Sequence, residues 1–210
     1  MRIDRAAVPF VALAAAPAVV LAFAGATTVA VVSLVLPLAV ALFFRDPDRA
    51  PTNDRRVVLA PADGKVMFAG EAPANAGPSG AWRQVTIFLS LLDVHINRTP
   101  VAGRVTRVDY VPGTFVPAYR EDARRNEHSE IWIDHDGQTV VARQVVGVLA
   151  RRVVCRVKTG DDLTAGERIG LMKFGSRMDV FVPPSATLTV AAGETVRGGE
   201  TIIARLTSGE

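Results

Sequence analysis

Apolar and polar positions follow two different patterns along this 210-residue chain. From Ala6 to Phe44 there is no charged residue at all. One membrane-spanning helix needs about 20 apolar residues, so the run has room for two. Gly25 and the polar pair Thr27-Thr28 fall near its middle. The pattern therefore predicts a helical hairpin or a re-entrant loop, with Pro17 and Pro37 as kinks that lipid-embedded helices tolerate. From Val57 onward the period changes. Short runs rich in Val, Ile and Thr, such as "RQVTIFLS", "SEIWID", "QTVVARQVVG" and "RMDVFVP", are separated by Gly, Pro, Asp and Asn. Such runs read as strands bounded by turns, and many of them together suggest a sandwich or barrel. "PAYREDARRNEH" is expected to add one polar helical turn. Three segments follow: an anchor at 1–44, a breaker-rich linker at 45–56 and a β-rich domain at 57–210.

Charge sharpens this picture. The net charge is +3 and hydrophobic residues make up 49% of the chain, the excess lying in the first fifth. Arg2 and Arg5 precede the apolar run, while Arg45, Arg49, Arg55 and Arg56 follow it. Positive flanks on both sides place both ends in the cytoplasm, which requires an even number of crossings. A signal peptide is disfavoured, because the run is far longer than its apolar core and no cleavage site ends it. The basic residues form no run that would track nucleic acid. The expected localisation is the cell membrane, with the β-rich domain on the cytoplasmic face and in reach of anionic lipid.

Two internal echoes suggest duplication. Pro61-Ala62-Asp63-Gly64-Lys65-Val66 resembles Pro100-Val101-Ala102-Gly103-Arg104-Val105, and Ala165–Ile169 resembles Ala192–Val196. The fold class expected is mainly β: a lipoyl-like barrel-sandwich or duplicated β domain after an N-terminal transmembrane hairpin.

Candidate chemistry is sparse. The lone cysteine, Cys155, cannot form an internal disulfide and reads as a buried strand residue. No Cys/His cluster suggests a metal. Of the three histidines, His135 lies in the turn signature "DHDG" and is expected to be solvated, and His128 sits at a strand edge. His95 lies in "FLSLLDVHINRTP", where alternation puts Asp93, His95 and Asn97 on one face. That face is either a solvated edge or a site. Asp63 reads as a turn residue. Ser176, within "LMKFGSRMDV", is a turn serine or a nucleophile. Asp63, His95 and Ser176 supply the parts of a nucleophilic triad, but no Gly-x-Ser-x-Gly turn surrounds the serine. Met172-Lys173 permits another reading, a biotinyl carrier modified at Lys173. A membrane Ser-His-Asp hydrolase is the other alternative.

"PADGKV", "FLSLLDVHINRTPVAGRV", "NEHSEI" and "GLMKFGSRMDVFVP", in this order after an apolar N-terminus, resemble the phosphatidylserine decarboxylase proenzymes, in particular their short bacterial and archaeal branch. The resemblance covers nearly all of the chain from about Ala60. It implies self-cleavage between Gly175 and Ser176, giving chains 1–175 and 176–210 that remain associated. The Ser176 hydroxyl attacks the Gly175 carbonyl, the resulting ester leaves by β-elimination, and the dehydroalanine hydrolyses to a pyruvoyl group with loss of ammonia. Gly at 175 leaves room for the tetrahedral centre. The implied cofactor is this covalent pyruvoyl group, with no metal, which forms a Schiff base with the substrate amine and takes up electrons as carbon dioxide leaves. The implied substrate is phosphatidylserine and the product phosphatidylethanolamine; a homo-oligomer is left open. By position His95 becomes a base for self-cleavage or an acid or base on the substrate, and Asp63 orients or charge-stabilises it. Longer members carry a second His where this chain has Arg98. Either His95 then does both jobs or His128 shares them, and Arg98 becomes a substrate-anion contact or a solvated edge charge.

Overall fold

The computed structural model describes residues 1–74, 77–148, 153–173 and 176–207. It divides into two units, Met1–Asp48 and Arg49–Glu210.

In the first unit, Asp4 caps a 3₁₀ turn at Arg5–Ala7, which leads into α1 (Val8–Phe23). After a turn at Gly25 the chain continues as α2 (Thr27–Ser33) and α3 (Val35–Phe43). Two short strands, β1 (Arg2–Ile3) and β2 (Arg45–Asp46), pair antiparallel and close the unit. The stretch Arg5–Phe23 has 19 residues and a mean hydropathy of 2.3. At 1.5 Å per residue it is about 28 Å long, close to the thickness of a bilayer's hydrocarbon core. Ala18 and Ala30 are buried, whereas Leu13, Val20 and Phe23 are exposed. Small residues let helices approach and leave large apolar side chains facing outward, as expected in lipid. The helix fits membrane association.

The second unit is β-rich. Its strands are β3 (Val57–Leu59), β4 (Gly64–Glu71), β5 (Arg83–Leu89), β6 (Ile96–Arg98), β7 (Gly103–Val111), β8 (His128–His135), β9 (Gln138–Val145) and β10 (Val153–Cys155). They continue with β11 (Asp162–Leu163), β12 (Arg168–Met172), β13 (Ser176–Val182), β14 (Thr187–Leu188), β15 (Thr195–Val196) and β16 (Ile202–Arg205). Eight of them form one antiparallel sheet in the order β11-β7-β8-β9-β13-β5-β4-β15. Two three-stranded sheets, β10-β12-β6 and β14-β16-β3, accompany it. The core gathers Val85, Ile87, Ile131, Ile133, Met178 and Val180 from one face of the large sheet with Ile169, Met172 and Ile203 from the small ones.

The large sheet reads alike from both ends once β7 is matched with β4, β8 with β5 and β9 with β13. The first sequence echo marks matching turns in this symmetric order. A Cβ on Gly64 would stand 2.2 Å from the Phe88 carbonyl oxygen, and one on Gly103 would stand 2.2 Å from that of Asp134. Their φ angles, 154° and 146°, are also nearly equal, so each turn needs glycine for the same close approach. The second echo pairs the wrong copies. Gly193 donates to the Val66 carbonyl at 2.8 Å, and its structural counterpart is Gly160, which donates to Val105 at 2.8 Å. Accordingly Thr195 pairs with Lys65 and Asp162 with Arg104, so Ala165–Ile169 is not the matching segment.

The polar turn expected in 117–128 is present as a 3₁₀ turn at Glu121–Arg125. Cys155 is half-buried in β10, and burial raises its thiol pKa. His135 is not solvated. It is buried, and its ring nitrogens face the backbone carbonyls of Ala102 and Arg55. Its turn is local, but the segment around Arg55 packs over it, and Arg55 also pairs with Asp136.

Candidate active site

Ser176 opens β13, the strand between β9 and β5 at the centre of the large sheet. It pairs with Leu89. Along β13, Ser176, Met178, Val180 and Val182 alternate toward the core, while Arg177, Asp179 and Phe181 share the other face. Ser176 is wholly buried, and its hydroxyl has no hydrogen-bond partner among the described residues. A buried hydroxyl without a partner costs about 1–3 kcal/mol and calls for an explanation, catalysis being one. Phe174 and Gly175, and with them the peptide expected to be cut, lie outside the described residues.

His95 precedes β6 and is 2% exposed. The Met172 N–H donates to its carbonyl at 3.2 Å, which continues the β6–β12 ladder by one residue. Met172 is four residues before Ser176, and Leu89, the pairing partner of Ser176, is six residues before His95. Both connections bring His95 and Ser176 to the same end of the unit. Nδ1 of His95 lies 2.9 Å from the Asp93 carbonyl. A carbonyl only accepts, so Nδ1 carries the proton and neutral imidazole keeps its lone pair on Nε2.

Asn97, two residues on, shares His95's face of the strand. It is fully buried, and its Oδ1 accepts from Gln144 Nε2 at 2.8 Å. Gln144 pairs with Met178 on the core side, the side that Ser176 faces. Asn97 Nδ2, Gln144 Oε1 and Ser176 Oγ all have unspent hydrogen-bonding capacity. Of the two readings for the Asp93–Asn97 face, the solvated edge fails at His95 and Asn97. Asp93 itself is in a turn, where it accepts from Ser90.

Asp63 and Arg98 fall together elsewhere. Both Asp63 oxygens accept from Arg49, at 2.9 and 2.7 Å, and Oδ1 also accepts from the Gly198 N–H. Arg49 reaches Glu200 as well. Arg98 is buried, not a solvated edge charge: its guanidinium donates to the Gly166 carbonyl, and its stem packs on Gly199 beside Arg49. Neither His95 nor Ser176 is among Asp63's hydrogen-bond partners. Arg49, read in the sequence as part of a linker, is thus a structural anchor. Replacing Arg49 by Met would leave the Asp63 carboxylate without its counter-charge. Breaking such a partly buried pair from one side costs up to about 3 kcal/mol, so a urea titration should show a clear loss of stability. Asp63→Asn, which still accepts from Gly198, should lose less.

His128 lies on the opposite face of the large sheet from Ser176. Its Nδ1 donates to the Asn126 carbonyl at 2.7 Å. Burial lowers its pKa below 6.5, partly opposed by that hydrogen bond. Around it runs a buried network missed in the sequence. Arg143 pairs with Glu130, and Asp179 accepts from Arg177 and from Thr86. Charged residues two apart in an otherwise apolar strand, Arg177 and Asp179, were the available signal. Gln144 gave none, because it follows Arg143 and the pair reads as a surface. No group of three or more His, Cys, Asp or Glu suited to a metal occurs among the described residues.

The family model described as phosphatidylserine decarboxylase matches residues 36–204. The chain belongs to the phosphatidylserine decarboxylase family. It is 45% identical over 165 residues to the "Phosphatidylserine decarboxylase proenzyme" of Pelodictyon phaeoclathratiforme, covering 78% of this chain and 77% of that protein. It is 44% identical over 179 residues to the proenzyme of Chlorobium limicola, covering 83% and 82%. With that of Solibacter usitatus it shares 43% over 178 residues, covering 84% and 83%. Family membership makes the chain an enzyme, a decarboxylase, and removes the grounds for a biotinyl carrier at Lys173 or a Ser-His-Asp hydrolase.

Proposed function

We propose that the chain cleaves itself between Gly175 and Ser176 and then decarboxylates phosphatidylserine to phosphatidylethanolamine. The observation that carries this reading is the buried Ser176 hydroxyl, without a hydrogen-bond partner among the described residues at the head of the central strand, in a chain of this family. A hydroxyl that makes no hydrogen bond has none to lose when it attacks a neighbouring carbonyl. In this scheme Ser176 Oγ forms an ester with the Gly175 carbonyl as the Gly175–Ser176 amide breaks. Loss of the Ser176 α-proton then expels the carboxylate of Gly175. Hydrolysis of the remaining dehydroalanine releases ammonia and leaves a pyruvoyl group on residue 176.

That group would supply a carbonyl able to capture the substrate amine and serve as an electron sink. The chain's own residues do the rest. His95 Nε2, with its lone pair free of the proton fixed on Nδ1, is suited to take a proton during self-cleavage and to return one to the product. Asn97 Nδ2 is a donor positioned by Gln144, suited to an oxygen that gains negative charge. Asp63 acts as a positioning residue through Arg49 and the Gly198 turn. Arg98 is proposed to support that same turn, and His128, on the far face, to support the strand next to β9. The apolar hairpin would hold the β-rich unit at the cytoplasmic face of the cell membrane.

The test is the intact mass of the purified protein under denaturing conditions. Two chains that split at Gly175–Ser176, the smaller carrying a keto group reactive toward hydrazines, are expected. A single uncut chain in a preparation that turns over phosphatidylserine would overturn the reading.

A further inference from the structure

The end of the large sheet that carries Ser176 also carries an unusual set of exposed apolar side chains. Val111 pairs with His128, His128 with Val145, and Val145 with Arg177, next to Ser176. The connections that leave this row present Leu91, Leu92, Phe115, Tyr119 and Val148 to solvent. Leu91 and Leu92 are 55% and 84% exposed.

These side chains are held out, not left loose. Ser90 N–H and Oγ both donate to Asp93 Oδ2, at 2.8 and 2.6 Å, and the Asp93 N–H returns to the Ser90 carbonyl. The two leucines therefore form the tip of a tight turn. The connection bearing Phe115 and Tyr119 is tied down by buried Asn126. Its amide binds both the N–H and the carbonyl of Val116, and also the carbonyl of Val146. The Tyr119 ring stands edge-on to Phe88 at 6.0 Å. Beside Tyr119 is a cleft of about 330 Å³ lined by Phe68, Thr86, Arg120, Arg124 and Arg177 among others; Arg177 is paired with Asp179, and Arg120 gives its Nε to Asp122.

A rigid apolar tip beside the exposed guanidinium of Arg120, which gives its Nε to Asp122, matches one kind of surface. Acyl chains take the leucines and aromatics, and headgroup phosphates complement the remaining guanidinium N–H groups of Arg120. We infer that this rim of the β-rich unit docks on a bilayer that contains anionic phospholipid, as a membrane contact of its own besides the N-terminal hairpin. The inference deepens the proposed function: the Leu91-Leu92 tip is joined through Asp93 to His95, so docking brings the site to the lipid interface.

The experiment uses the full chain in proteoliposomes of phosphatidylcholine and phosphatidylglycerol, so that no substrate is present. In a Cys155→Ser background, an environment-sensitive fluorophore is placed at Leu92→Cys, at Phe115→Cys and, as a control at the other end of β7, at Asp162→Cys. The first two labels are expected to shift to the blue and to be quenched by lipids brominated in the acyl chain, and the third to stay water-exposed. Labels at 92 and 115 that behave like the control would overturn the inference, whatever the enzyme's activity. A second measurement uses Leu91→Asp/Leu92→Asp. On vesicles bearing phosphatidylserine the apparent KM should rise about tenfold or more, since two apolar side chains are lost from the interface. Turnover of a detergent-dispersed short-chain substrate should be unchanged; an equal loss on both substrates would place these leucines in the site's own integrity and overturn the docking role.

Discussion

Ser176→Ala leaves the protein as one uncut chain, with decarboxylase activity reduced at least about 10⁴-fold, the scale on which loss of a nucleophile acts. The structure makes this variant unusually clean. Ser176 is fully buried and its hydroxyl makes no hydrogen bond among the described residues. Alanine removes one oxygen and none of the hydrogen bonds among the described residues. Relative to the uncut precursor, stability should therefore hold or rise, by about 1–3 kcal/mol at most, because an unsatisfied buried polar atom is deleted. Mass spectrometry and a melting curve on the same sample check both halves. Ser176→Cys should still cut, since sulfur can accept the acyl group and leave by elimination. A cut or active alanine variant would move the chemistry away from this residue.

His95→Asn is expected to slow self-cleavage, turnover or both by about 10²–10⁴-fold, the usual worth of a positioned acid or base. Asparagine is chosen because its side-chain N–H can still reach the Asp93 carbonyl that now accepts from Nδ1. It lacks an equivalent of Nε2, so the fold is spared and the base is lost. The rate of chain cutting in freshly folded protein reports the first role. The kcat of whatever fraction has been cut reports the second. If both stay normal, His95 has no catalytic part, and the neutral imidazole is only a packed core residue.

What could be read from the sequence, and what could not, follows the range of the interactions. The apolar helices of the first unit were visible because the run from Ala6 to Phe44 is long and carries no charge. Strands such as β5, β8 and β13 were visible through alternation over seven or eight residues. β11 and β15 have two residues each, too few to show a period, and only their pairing with β7 and β4 makes them strands. The His95–Asn97 alternation was correct over those positions, but it was extended one step too far, to Asp93 in a turn. Arg49 could not be recognised as the partner of Asp63, because a charge beside Pro and Asp reads as a linker and its partly buried partner lies 14 residues away. The symmetry of the large sheet was half visible: similar letters marked the Gly64 and Gly103 turns, whereas Gly160-Asp161 and Gly193-Glu194 are alike in role but not in spelling.

The place of β13 bears on the order in which the molecule must be made. On the proposed scheme the smaller chain begins at the first residue of that strand, which is hydrogen-bonded along both edges, to β9 and to β5. Before the cut, inserting it is a unimolecular event, helped by a tether to β12. Afterwards the same step becomes a bimolecular encounter, between a sheet missing its middle and a peptide of about one strand and three short ones. Such halves expose apolar edges that aggregate. The uncut precursor is then the form able to refold, and the mature enzyme is held by the slowness of its unfolding rather than by a reversible equilibrium. Recovery after denaturation should accordingly be high and independent of concentration for Ser176→Ala, and low for the matured protein.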